Sequence, residues 1–203
     1  MVYTPPEGAE LLRDKLVNWE RYIHADDGVD PLIRLAITHY QFEAIHPFTY
    51  GNGRMGRVLN LLFLVEKDML DILVLYLSRY IIDNKKTYYD RLLAVTTDGA
   101  WEPWILFMLA AIRETSTWST AKIRAIRDLL DATTDRIRRD LQKIYTRELA
   151  EIIFVNPYCR IADLVAAGIA KRQSASVYLK ALTSLGILGE IEAGREKIYT
   201  NPA

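Results

Sequence analysis

The sequence predicts a mainly α-helical protein, and three observations predict it. Apolar residues recur at helical spacing through the first two thirds of the chain. Prolines and glycines stand where those segments would start and stop. The tail then changes to a helix, helix, strand, turn, strand order, which reads as a second, smaller module.

Taken in order, Gly8 to about His24 carries Leu11, Leu12, Leu16, Val17, Trp19 and Tyr22 on helical spacing, with Pro5 and Pro6 just ahead. The stretch HADDGVDP closes it as a turn. Pro31 suits a first helical turn, and the helix it opens runs through Leu35, Ala36, Tyr40 and Phe42 to about Ile45. Pro47 stops it, because proline cannot donate to the preceding turn. After the loop PFTYGNG, a helix runs from about Arg54 to Val65. Further helices are expected over about Leu73–Ile82, Lys85–Val95 and, after the Asp98-Gly99 turn signal, Trp101–Thr115. Ser116 to Ile153 reads as one or two charged helices whose solvated face links two domains. Asn156-Pro157 breaks this run; short helices over Arg160–Ala167 and Lys171–Leu185, closed by Gly168 and Gly186, precede strands at Ile187–Ile191 and Lys197–Thr200. The expected division is 1–115, a helical linker over 116–150, and 151–203.

Composition excludes several classes. With 203 residues, 50% hydrophobic and 26% charged, the chain can bury a core and is not bulk disorder. Lys and Arg number 26 against 26 Asp and Glu, so no overall charge drives nucleic-acid binding, although local patches stay open. Cys159 is the only cysteine, which rules out an intramolecular disulfide and a four-cysteine zinc site. His24, His39 and His46 lack metal-ligand spacing. The N-terminus has no signal-peptide pattern and no apolar run spans a bilayer, so a cytoplasmic protein without membrane contact is expected.

Chemistry concentrates in HPFTYGNGRMGR, His46 to Arg57. Gly51 and Gly53 permit unusual torsions and close approach of backbone amides to a ligand. They precede a helix whose free N–H groups and dipole favour an anion. Arg54 and Arg57 share one helix face a turn from that end, and Asn52 adds a polar contact. Taken singly, each element has an ordinary reading as a turn, a structural histidine or surface arginines. Two arginines at the positive end of a dipole are unfavourable unless an anion compensates them, so the combination points to a phosphate cradle. His46, at the end of the preceding helix, is the candidate general base.

This stretch resembles the signature of Fic-domain proteins, H-x-F-x-[D/E]-G-N-G-R-x-x-R. His46, Phe48, Gly51, Asn52, Gly53, Arg54 and Arg57 all match it. The stretch HYQFEAIHPF looks like the subgroup that carries a C-terminal winged helix, and RIADLVAAGIAKRQSASVYLKALTSLGILGEIEAGREKIY resembles such domains in order and spacing. The resemblance implies a Fic-type helical bundle, a linker helix region and a small winged helix-turn-helix domain. It also implies a protein adenylyltransferase with ATP as its substrate: His46 takes a proton from a Ser, Thr or Tyr hydroxyl of a protein target, which includes the chain itself. Gly51, Asn52, Gly53, Arg54 and Arg57 would hold the phosphates, and Phe48 would anchor the loop. Tyr88 and Tyr89 match a tyrosine pair near adenine in similar proteins, with ordinary helix packing as the alternative. Thr96 falls where some relatives carry an adenine-contacting Asn.

Two departures matter. Tyr50 stands where the family has an acidic ligand for Mg²⁺, and a phenol with an ordinary pKa near 10 is a poor ligand for that cation. No metal ligand is therefore assigned, and catalysis should weaken before binding does. Glu43, one turn before His46, has no evident claim as a replacement. The second departure is the N-terminus: Val2-Tyr3-Thr4-Pro5-Pro6 looks like the far end of the family's target-docking hairpin. Neither its first strand nor the inhibitory [S/T]-x-x-x-E-[G/N] motif, which would reach Arg57, is found, so a fragment or an unrestrained short form is expected.

Three functions stay open: an AMP-transferring enzyme, a degenerate nucleotide-binding sensor, and a DNA-binding regulator. For the third, Lys171, Arg172, Lys180, Arg195 and Lys197 would contact phosphates, while Glu190, Glu192 and Glu196 in the same hairpin oppose it. A winged helix can equally dock a protein or a second copy in a homodimer.

Overall fold

The computed structural model describes residues 3–194 and 196–201. The expectations placed on Val2 and Arg195 lie outside the described residues. The chain divides into two compact units, residues 1–121 and 122–203.

In the first unit, α1 spans Ala9–Ile23, α2 Pro31–Ile45, α3 Asn52–Glu66, α4 Leu77–Asp83 and α5 Lys85–Asp98; α6 is Trp101–Asp140. Helix α2 is the centre of the unit, buried on several sides through Leu35, Ala36, His39, Tyr40, Phe42 and Ile45. Its start follows from its sequence: the Asp30 carboxylate accepts the N–H groups of Leu32 at 2.8 Å and Ile33 at 3.4 Å, and Pro31 needs no donor there. Two indoles brace it, Trp104 donating to the Ala36 carbonyl and Trp19 to that of Thr38, each at 2.8 Å. The Arg34 guanidinium is buried but not alone, for it donates to the Tyr22 carbonyl and pairs with Asp27.

The helix expected over Leu73–Ile82 is shorter, beginning only at Leu77. Residues 70–76 are irregular. The Val74 carbonyl accepts the Ser119 hydroxyl at 3.1 Å, a tertiary bond that substitutes for a helical one, and β-branched Ile72 and Val74 resist helix locally. The two segments expected at Trp101–Thr115 and from Ser116 onward are joined: α6 is unbroken to Asp140, because no glycine or proline follows Pro103 in it.

In the second unit, α7 (Arg147–Val155) is capped by the Thr146 hydroxyl, which accepts the Leu149 N–H at 3.1 Å. Helices α8 (Ile161–Ala166) and α9 (Arg172–Ser184) follow, and then strands β2 (Gly189–Ala193) and β3 (Glu196–Thr200). A two-residue strand, β1 (Tyr158–Cys159), joins them in an antiparallel sheet of order β1-β3-β2. Its brevity hides it from any alternation pattern. Ile137, Leu149, Leu164, Leu179, Leu182 and Tyr199 form the core. Among the described residues no helix is long and apolar enough to cross a membrane.

Candidate functional site

The loop between α2 and α3 is built by two left-handed residues. His46 ends α2 at φ 50°, its N–H still bonded to the Phe42 carbonyl, and Pro47 prevents another turn. Gly51 at φ 84° turns the chain into α3 and accepts the Met55 N–H at 3.0 Å. Just after Gly51, Asn52 (2% exposed) binds Phe48 through both ends of its amide.

Room at the start of α3 is filled by guanidinium groups. Arg54 Nη2 lies 3.6 Å from where a Cβ on Gly51 would stand, and Arg57 Nη1 lies 3.3 Å from where one on Gly53 would stand. Both side chains thus fold back toward the helix N-terminus, and the two glycines leave that space open. Neither arginine makes an ion pair among the described residues. Two cations at the positive end of a helix dipole make a candidate anion site, although the Glu43 carboxylate acts electrostatically on Arg57.

His46 is exposed, and its Nδ1–H donates to the Glu43 carbonyl at 3.4 Å. That tautomer leaves the Nε2 lone pair free to take a proton. The Glu43 carboxylate is the feature that spacing alone did not reveal. Its Oε1 is buried without a hydrogen-bond partner, 2.7 Å from where a Cβ on Gly56 would stand. Burial raises its pKa, against the pull of His46 and Arg57. The signal available in the sequence was its i,i+3 relation to His46 on one helix face.

Tyr88 and Tyr89, adjacent in α5, point to different surroundings. Tyr88 is 3% exposed and belongs to the core. Asn60 Nδ2 donates to His39 Nδ1 at 3.1 Å, so His39 Nε2–H donates to the Tyr88 hydroxyl at 2.9 Å. Burial, helped by the charge of Arg57, lowers the His39 pKa to about 4 and keeps the ring neutral. Burial and the nearby Glu43 push the Tyr88 hydroxyl up. Tyr89, 57% exposed, instead lines a cleft of about 480 Å³ with His46, Glu43, Gly53, Leu93 and Thr96. That volume is within the usual range for a small-molecule site. Thr96 is tied to Tyr40, hydroxyl to hydroxyl, at 2.9 Å, and the Tyr3 hydroxyl donates to the Ala44 carbonyl beside them. The structure therefore gathers His46, Gly53 and Tyr89 around one cleft, next to the Arg54 and Arg57 cradle, and packs Tyr88 into the core.

Tyr50 is 87% exposed and offers only a phenol. Glu43 is turned toward Gly56, and among the described residues no group of three His, Cys, Asp or Glu could hold a metal ion. These donors do not fit Mg²⁺, which wants several hard oxygens in octahedral array.

Residues 1–64 match the Fic/DOC family model, and residues 129–203 match the model described as the C-terminal domain of SoFic-like protein adenylyltransferases. The chain is similar to a probable protein adenylyltransferase of Aquifex aeolicus (aq_aa38), 38% identical over 77 residues, which are 38% of this chain and 23% of that protein. It is also similar to the protein adenylyltransferase fic-1 of Caenorhabditis elegans, 27% identical over 124 residues, 61% of this chain and 22% of that one. The chain thus spans under a quarter of the length of these curated relatives. A crystal structure of a Fic family protein from Desulfovibrio desulfuricans G20 shares the fold over the whole chain and 58% of its own, with a TM-score of 0.54 at 21% identity. The loop from His46 to Arg57 lies within the first of these matched regions.

Proposed function

We propose that this chain transfers AMP from ATP to a Ser, Thr or Tyr hydroxyl of a protein. The observation that carries the reading is that Gly53, which Arg57 folds over, lines one cleft with His46, while Arg54 folds over the neighbouring Gly51. Adenylyltransferase names among the relatives support the nucleotide, and the apolar wall of Tyr89, Leu92 and Leu93 suits a planar base.

In the proposed step, the target oxygen attacks the α-phosphorus while His46 Nε2 takes the hydroxyl proton. The new O–P bond forms as the bond from that phosphorus to the bridging oxygen breaks, and pyrophosphate leaves with the electron pair. Arg54, Arg57 and the α3 amides neutralise the charge that develops, which is the main catalytic contribution in such transfers. The donors at Tyr50 do not fit a metal ion. We infer that transfer is slowed at this position while nucleotide binding persists, and that residues 1–115 carry the catalysis. The helix, helix, hairpin order after residue 150 supports reading 151–203 as a winged helix-turn-helix domain.

The test is label transfer from α-labelled ATP to protein, with Mg²⁺ or Mn²⁺, for the chain and its His46→Ala and Tyr50→Asp variants. Labelling that is faster in Tyr50→Asp and abolished by His46→Ala is expected. ATP binding without labelling in every variant would leave a nucleotide sensor. Absence of ATP binding would overturn the cradle.

A further inference from the structure

A carboxylate stands beside the candidate anion site. Glu43 lines the cleft with His46 and Gly53, and its two oxygens lie 3.7 and 4.0 Å from where a Cβ on Gly53 would stand. Arg57 Nη1 lies 3.3 Å from that same point. The acid and the guanidinium thus share the space at the start of α3 into which phosphates would be drawn. Oε1 is buried, and among the described residues it has no hydrogen-bond partner.

The groups that face Glu43 come from three helices. Arg57 of α3 and His46 at the end of α2 pull the carboxyl toward its ionised form, while burial pushes the other way. His39 of α2, with its pKa lowered to about 4, is neutral, and Tyr88 of α5 has its hydroxyl pushed up, so neither exchanges a proton near neutrality. Tyr3, Tyr40 and Tyr89 are the other titratable groups lining the cleft. Glu43 Oε1, His39 Cε1 and Phe42 Cδ1 all crowd the same face of Gly56, which holds the carboxyl inward.

We infer that Glu43 is the proton acceptor of the nucleotide site, taking up a solvent proton as the phosphates of ATP engage Arg57. A polyphosphate here adds like charge beside the carboxylate and draws on the guanidinium that compensates it. Like charges crowded in a buried site raise the pKa of the weaker acid, which is the carboxyl. The side chain is packed against Gly56 and does not turn out to water, so one new O–H bond on the carboxylate relieves the conflict. Linkage sets the sign: a group that gains a proton on binding makes binding tighter as pH falls. His46 stays available as the base, because the proton goes to its neighbour. This inference rests on the proposed nucleotide site and does not require transfer to occur.

The experiment is titration calorimetry of the full chain with α,β-methylene ATP, which cannot release pyrophosphate, without added metal. Repeating it in buffers of different ionisation heat counts the protons taken up. Near neutral pH the parent should take up roughly half a proton more than Glu43→Gln, since the ligand's own phosphates contribute equally to both. The affinity advantage of Glu43→Gln in base should then shrink by about threefold per pH unit toward acid. His46→Gln should keep the parent's proton uptake. Difference infrared spectra of the unsubstituted chain should gain a protonated-carboxyl band on binding, shifted by ¹³C-glutamate labelling, which tests the inference even if Glu43→Gln does not fold. Equal uptake in the parent and a folded Glu43→Gln, loss of uptake in His46→Gln, or absence of that band overturns the inference and leaves the nucleotide site standing. Failure of the parent to bind the analogue overturns the nucleotide site, and this inference with it.

Discussion

Asn52 and Phe48 are bonded twice across the loop: the Asn52 Oδ1 accepts the Phe48 N–H at 2.9 Å, and its Nδ2 donates to the Phe48 carbonyl. One buried amide thereby satisfies both backbone groups of the residue that starts the turn. The loop is held from within, so its shape does not depend on a bound phosphate.

Asn52→Ala should cost about 1–3 kcal/mol, because it removes two buried hydrogen bonds and leaves their partners unsatisfied. Thermal unfolding and ATP titration measure it, and both stability and affinity should drop. Asn52→Asp keeps the acceptor and loses the donor, so it should fall between the two. A variant that melts like the parent would show that the loop is held by something else.

Gly56→Ala tests the crowding around Glu43. The added methyl would stand 2.7 Å from Glu43 Oε1, 3.2 Å from His39 Cε1 and 3.3 Å from Phe42 Cδ1. Overpacking of this kind costs about 1–3 kcal/mol, partly offset by roughly 1 kcal/mol of helix propensity. The carboxylate is the nearest obstacle, so the same substitution should cost less in a Glu43→Ala background. A double-mutant cycle with no coupling would overturn this contact.

His39 makes stability depend on acid. Its pKa is about 4 in the folded chain against an ordinary 6.5, so the unfolded chain takes up the proton first. Stability from this group is complete above pH 6.5 and is lost as pH falls toward 4, a loss of the order of 3 kcal/mol. Chemical denaturation over this window should show a shallower decline for His39→Gln than for the parent. Glu43, whose pKa is raised, contributes with opposite sign but equally in both proteins. Parallel pH profiles would show that His39 is not held neutral.

The proposed catalytic roles separate by readout. His46→Ala should lower transfer by about 10²–10⁴-fold while ATP affinity stays the same, as for loss of a general base. Arg57→Ala should lower ATP affinity as well, because its guanidinium lies over the anion site in the free protein. Equilibrium ATP binding beside initial transfer rates distinguishes them, and equal loss of ATP affinity in both variants would refute the division.

Local signals in the sequence were sufficient where the physics is local. Pro31 and Pro47 bound α2 through missing donors, Gly51 opens α3 through its positive φ, and the two arginines three residues apart must share a face. The loop and its cations were legible for that reason. Tertiary partners decided the rest. Val74 gives its carbonyl to Ser119, which sets 70–76 outside a helix. Strand β1 exists only because β3 offers an edge to Tyr158 and Cys159. Tyr88 turns inward to His39 while its neighbour Tyr89 faces the cleft, a choice that α2 makes by supplying a buried imidazole to one of them. Glu43 has its place beside Gly56 and Arg57 because α2 and α3 pack there, and no pattern along one chain segment carries that information.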